Sequence, residues 1–398
     1  MPRQRFDSID ILRGLVMVIM VLDHTRDYVH TDAFGFDPTD LTRTTPLLFF
    51  TRWITHFCAP VFVFLAGVGP ALQLGRGRSV SEVGRYLWTR GLWLVLLELT
   101  VVRFGIFFDF SPGFFGFLQV IWVLGISMVV LAVLIRLPHT AILLIGAVMV
   151  GGHNLLDPIQ VSPVPPNQTV IGLGGSLWSL LHQPNPIQPF GPNAPFGFVA
   201  YPLVPWIGVM ALGFLFGGAY LGCDDRPRWL ARWGAGLTLA FIAIRAINFY
   251  GDPSPWAVQA SGTFTLLSFL NTTKYPPSLL YLLMTLGPGL LFLALLERRS
   301  AWPGSRMLLL FGQVPLFFYL LQWYVAHSLG VALSAAAGKP ISGYFQDPPE
   351  VFSPPPGAGF KLAMVYPAWI VAVAVLYFPC RWWAEQKKLR TEWWVRYL

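Results

Sequence analysis

Apolar residues gather into ten runs along the chain, near 9–29, 53–74, 85–107, 114–136, 139–156, 200–221, 233–250, 277–297, 307–333 and 361–380. Most approach the roughly 18–25 residues that cross a bilayer core as a helix. In lipid a backbone must satisfy its own hydrogen bonds, and a helix does so within one segment. The pattern predicts an all-α polytopic transmembrane helix bundle of about ten spans, a single domain over 1–380. Between the fifth and sixth runs, residues 157–198 carry nine prolines and one short helical stretch, GSLWSLLH, in an otherwise irregular loop. Residues 381–398 place Trp, Lys and Arg beside a span. They predict an interfacial anchor on the membrane surface.

Composition supports this reading. Apolar residues make up 55% and charged residues 12%, about half the charge of a soluble domain. Water-soluble, disordered, coiled-coil and disulfide-scaffold classes are excluded. Cys58, Cys223 and Cys380 are too far apart in sequence to suggest a disulfide framework or a metal site, and no metal is expected.

Net charge is +8, which in a soluble protein would raise a nucleic-acid partner. Here the charge follows topology instead. One alternate set of connections holds Arg3 and Arg5; Arg76, Arg78 and Arg85; Arg136; Arg226, Arg228 and Arg232; Arg298, Arg299 and Arg306; and the basic residues after Arg381. The other set holds Arg26, Arg43, Lys274, Lys339 and Lys361, with Arg52 and Arg103 close to the membrane. The positive-inside rule makes the first set cytoplasmic, with both termini inside. The expected partners are membrane lipids and no nucleic acid; the sequence sets no oligomeric state. The start, MPRQRFDSID, runs into an apolar stretch without a small-residue cleavage site, so the first segment reads as a retained span.

Ionisable groups inside spans are functional candidates. The first run, SIDILRGLVMVIMVLDHTRDYVH, is the densest. At 100° per residue, Arg13 and His24 lie about 20° apart on one helix face and roughly 16 Å apart along it. Asp10, Met17, Met20 and Asp27 fall on the same stripe, which must face protein or water. In the second segment, Arg52 and His56 share a face at i and i+4. They lie on the outer side, as His24 does. Of the other buried polar residues, Glu98 and Arg245 are read as mutual partners, and His327 lies at the outer end of the ninth span. The turn GRGRS at 75–79 is basic and glycine-rich, suited to phosphates or lipid headgroups. No HExxH, GxSxG, P-loop or CxxC pattern is present.

SIDILRGLVMVIMVLDHTRDYV followed by ITHFCAPVFVFLAG resembles the catalytic-domain family of heparan-alpha-glucosaminide N-acetyltransferase, in its bacterial branch. FVAYPLVPWIGVMALGFLFG and LLLFGQVPLFFYLLQWYVAH are similar to that branch as well. Arg13 followed by His24 also matches the R-x10-H pattern of the broader transmembrane acyltransferase superfamily. The resemblance implies acyl transfer from cytoplasmic acetyl-CoA, or another acyl-CoA, to an extracytoplasmic glycan or small-molecule acceptor such as an amino sugar. It implies an inner-membrane location in a bacterium. It departs at one place: lysosomal members carry Asn where His24 stands and use a histidine nearer the second span. The base is therefore His24, His30 or His56.

The expected site follows from that chemistry. Attack on a thioester needs a base for the acceptor's proton, which suits a histidine, or a histidine that accepts the acyl group itself. His24 is the first candidate, with His56 beside it and Asp27 or Asp23 to fix the ring's tautomer. Arg13, Arg76 and Arg78 are expected to bind the donor. Asp23, Arg52 and His327 are expected to bind the acceptor. The alternative is a carrier or flippase for a glycan or lipid precursor, with the polar stripe as its pathway.

Overall fold

A computed structural model describes residues 6–161, 169–345 and 354–390, together with 392, 395 and 397. The charges assigned at Arg3, Arg5 and Arg396 lie outside these residues. In chain order the elements are α1 (Asp7–Val29), α2 (Pro46–Trp53), α3 (Cys58–Gly75), α4 (Val80–Leu97), α5 (Arg103–Phe107), β1 (Phe114–Leu118), α6 (Val120–Leu134) and α7 (His139–Gly151). There follow β2 (Val170–Ile171), α8 (Leu173–Leu181), β3 (Asn185–Gln188), β4 (Phe196–Val199), α9 (Leu203–Leu221), α10 (Arg226–Ile247) and α11 (Gly262–Leu270). The last are α12 (Leu279–Arg298), α13 (Ser305–Gln313), α14 (Pro315–Ala336) and α15 (Leu362–Leu389).

Each apolar run contains a helix. Among the described residues, six stretches are long and apolar enough to cross a membrane: Pro46–Gly75, α9, α10, α12, α14 and α15. The helices α6 and α7 are apolar but shorter. The chain is a mostly helical, integral membrane protein.

Three features differ from the sequence reading. The run at 114–136 is not one helix, because its first residues form β1. The connection 157–198 is not an irregular loop: its described part holds β2, α8, β3 and β4, and α8 falls on the stretch read as helical. Together the strands make a four-stranded sheet in the order β1-β4-β3-β2. β1 runs parallel to β4 with Phe114 opposite Phe196 and Leu118 opposite Val199, and β3 runs antiparallel to β4. The bundle is thus joined by a small sheet. Third, α15 continues unbroken through residues 381–389, so that part of the expected surface anchor extends a span.

Helices meet where glycine removes a side chain from the interface, as expected in lipid. A Cβ at Gly14 of α1 would collide with the Leu308 carbonyl of α13, and one at Gly312 of α13 with the Asp10 carbonyl of α1. Gly67 of α3 and Gly213 of α9 interlock in the same way, against Met210 and Phe64. The polar stripe of α1 is consequently turned inward, with Asp10, Met17 and Met20 all buried.

Glu98 and Arg245 are not partners. Glu98 lies in a π-helical turn and accepts the backbone N–H of Trp122 at 2.9 Å, in the first turn of α6. Arg245 donates to the carbonyls of Ser268, Phe269 and Asn271 at 3.1, 3.0 and 2.7 Å. A cation there meets the negative end of the α11 dipole and its orphan carbonyls. Arg245 also lies 3.9 Å from the buried Asp252 carboxylate, so each charge is satisfied without the other.

Candidate functional site

The C-terminal half of α1 borders a cavity of about 430 Å³, within the size range of small-molecule sites. From α1 come Met20, Asp23, His24, Arg26, Asp27 and Tyr28. Arg52 and Thr55 enter from the segment before α3, and Cys58 and Phe62 from α3 itself. The sheet region adds Phe117, Gln119, Phe198 and Tyr201, with Pro184 just ahead of β3. Lys274 and Tyr275 precede α12, and Trp323 projects from α14. The sheet therefore has a direct role: it brings distant aromatic residues over the end of α1.

The electrostatics rest on a four-membered ion cluster. The Arg52 guanidinium donates to the Asp23 carboxylate. Arg26 Nη2 lies 3.3 Å from Asp23 and 2.8 Å from Asp27. These side chains are between 4% and 15% exposed, so each charge depends on its partner for solvation. Lys274 adds a third cation, its Nζ 5.2 Å from the centroid of the Tyr275 ring. Three cations against two carboxylates leave the wall one positive charge in excess, which suits an anionic or polarised ligand.

His24 lies in this wall with its ring stacked on Trp323, centroids 3.7 Å apart and planes 19° apart. Its Nδ1 is shut off from solvent and has no hydrogen-bond partner among the described residues. Asp23 and Asp27 are held by arginines, so the expected tautomer-fixing carboxylate is not in place. Packing against the indole orients the ring instead.

The other expected residues are distributed more widely. Asp23, Asp27 and Arg52 share the cavity with His24. His56 is 3% exposed and is not among the residues lining the cavity. Its carbonyl accepts the Tyr281 hydroxyl at 2.7 Å. His30 is buried in a bridge to Phe360, and burial pulls its imidazole below the ordinary histidine range. His327 is wholly buried between Tyr28 and Phe108, at centroid distances of 4.6 and 3.9 Å, with Nε2 2.9 Å from the Tyr344 carbonyl. It acts as a packed core ring rather than part of the wall.

The three expected donor residues are also away from the cavity. Arg13 bonds Asp10 at 2.8 Å and the Gly312 carbonyl at 3.2 Å. It precedes Met20, the lowest α1 residue in the lining, by about 10 Å of helix. Arg76 and Arg78 follow the far end of α3, about 25 Å along its axis from Cys58, and Arg78 bonds Gln73 at 2.7 Å. Sequence reasoning missed Lys274, Tyr275 and Trp323 as site residues. Lys274 had a usable signal, a lysine in a connection otherwise poor in charge.

The family profile described as "Heparan-alpha-glucosaminide N-acetyltransferase, catalytic" matches residues 5–251. That stretch contains α1, the second segment and the sheet that together form most of the cavity wall. No curated protein matches the chain. A match over more than half of the sequence, bearing the His24 face and the ion cluster, decides the relationship: the chain belongs to the heparan-alpha-glucosaminide N-acetyltransferase catalytic family, membrane proteins of acyltransferase type.

Proposed function

We propose that the protein transfers an acetyl or other acyl group from acyl-CoA on the cytoplasmic side to an amine or hydroxyl of a glycan or amino-sugar acceptor on the outer side. In this reading the chain crosses a bacterial inner membrane ten times with both termini in the cytoplasm. The observation that carries the proposal is the His24 imidazole, fixed by Trp323 in a cavity wall that also presents Arg26, Arg52 and Lys274.

In the transfer step His24 accepts the proton of the acceptor N–H or O–H as that atom bonds to the acyl carbon. The C–S bond of the thioester breaks, and the departing thiolate takes the proton back. Lys274 and Arg52 supply positive charge for the carbonyl oxygen while it is negative. The cavity volume is at the lower end for a ligand site, which favours binding of the acceptor and the thioester end of the donor only. On α1, Met17 and Met20 lie between Arg13 and His24. Both are buried but flexible side chains that can shift rotamer.

The test is acyl transfer by the purified full chain, with acetyl-CoA as donor and glucosamine as the first acceptor. His24→Ala is expected to lower turnover about a hundredfold or more while leaving elution and melting near wild type. Unchanged turnover in His24→Ala removes the base. A wild-type protein that neither consumes acetyl-CoA nor is stabilised by it removes the enzyme reading altogether and favours a carrier.

A further inference from the structure

Among the described residues, one group of metal-ligating side chains lies apart from the cavity: His153, Asp157 and His182. Chain topology brings them together from two segments. His153 opens the 3-10 turn His153–Leu156 that follows α7, Asp157 ends that turn, and His182 caps the carboxyl end of α8. One ligand atom from each falls within 4.8 Å of the other two. Nε2 of His182 is 3.0 Å from Oδ1 of Asp157, and the two imidazole centroids are 5.6 Å apart.

Three further observations point to a ligand rather than to packing alone. Both histidines are almost completely buried, at 2% and 3% exposure. Three of their four ring nitrogens, Nδ1 and Nε2 of His153 and Nδ1 of His182, are buried without a hydrogen-bond partner. The Pro277 carbonyl is a backbone acceptor facing His153, and it accounts for at most one of these nitrogens. Buried polar atoms are normally paired, so orphans concentrated on two facing rings need a cause. The carboxylate is also held from behind. Asn154 Nδ2 donates to Oδ2 of Asp157 at 2.9 Å, and Asn154 Oδ1 accepts the Leu279 backbone N–H at 3.0 Å. Metal-ligating carboxylates are oriented by such outer contacts.

We propose that His153, Asp157 and His182 bind one divalent transition-metal ion of the zinc class, which fastens the end of α7 to the segment leading from α8 into β3. Two imidazoles and a carboxylate are borderline-soft nitrogen and oxygen donors, a set that favours zinc over calcium or magnesium. Tetrahedral bonds of 2.0–2.2 Å place ligand atoms about 3.3 Å apart, within a side-chain adjustment of roughly 1 Å here. The fourth position falls to water. Pro184, two residues after His182, lines the cavity, so the ion would hold part of that wall in place. This site is independent of the acyl-transfer reading, and its test needs no turnover.

The full chain, purified in detergent without a polyhistidine tag, is stripped with chelator and titrated with Zn²⁺. One ion per chain is expected to survive gel filtration and to raise the melting temperature. Asp157→Asn and His182→Ala are each expected to weaken uptake about a hundredfold. Copper-catalysed oxidation of the wild type, mapped by mass spectrometry, is expected to mark His153 and His182 and to be suppressed by Zn²⁺. That measurement stands even where a variant fails to fold. Absence of stoichiometric Zn²⁺ in the wild type, unchanged uptake in a folded variant, or oxidation confined to other histidines each overturns the proposal and leaves a plain histidine–aspartate pair.

Discussion

At the scale of single residues, the cavity depends on charges that neutralise one another out of water. Asp23 sits between Arg26 and Arg52, and neither arginine has enough solvent to stand alone. Removing one partner of a buried pair leaves an uncompensated charge and costs about 3–5 kcal/mol. Asp23→Asn is therefore expected to lower the melting temperature sharply. The double variant Asp23→Asn/Arg52→Gln is expected to recover a large part of the loss, because it removes both charges. Thermal melts of the wild type, Asp23→Asn, Arg52→Gln and the double variant check this, and strict additivity would show the pair to be energetically idle. Of the residues singled out in the sequence, four line the cavity and five, Arg13, His56, Arg76, Arg78 and His327, do not. His24, Asp23, Asp27 and Arg52 were legible because charge in an apolar run needs a reason. Lys274 was passed over because it lies in a connection rather than in an apolar run, although a lone lysine in a charge-poor connection was itself a signal. Trp323 was not legible, because one more tryptophan in a lipid-facing chain carries no signal until its stacking partner is known.

At the scale of elements, a helix within each apolar run was legible from the sequence, and six of the described helical stretches are long and apolar enough to cross a membrane; the sheet was not legible. FFGFL reads as the start of a span because it is apolar on both faces, and its partner β4 lies about eighty residues further on. No local pattern reports a parallel pairing at that distance. The boundary inside the run is marked only by Gln119, a polar residue between β1 and α6. Element packing also explains why Arg13, prominent in the sequence, is structurally occupied. The close approach of α1 and α13 delivers the Gly312 carbonyl to its guanidinium. Gly312→Leu is expected to force these helices apart, disturb the Arg13–Asp10 pair and greatly lower the yield of folded, monodisperse protein. Alanine at an exposed glycine such as Gly236, around which a Cβ meets nothing, is expected to leave yield unchanged. Size-exclusion profiles of the two variants compare these outcomes directly.

At the scale of the whole molecule, the alternation of basic connections makes a claim that the backbone alone does not. A protease site placed after residue 398 is expected to be cut in inverted vesicles and protected in right-side-out ones. The same site inserted beside Gly191, in the connection between β3 and β4, is expected to behave oppositely. Equal cleavage on one side would remove the ten-span arrangement and with it the separation of donor from acceptor. The helix pairs locked by Gly14 and Gly312, and by Gly67 and Gly213, bear on how such a molecule works. Backbones seated this deeply resist sliding, since any shear would drive a carbonyl into the opposing chain. A carrier cycle that rocks one half against the other is hard to reconcile with such gears. In the proposed transfer, entry to the site is left to small side-chain swings around a frame that stays still.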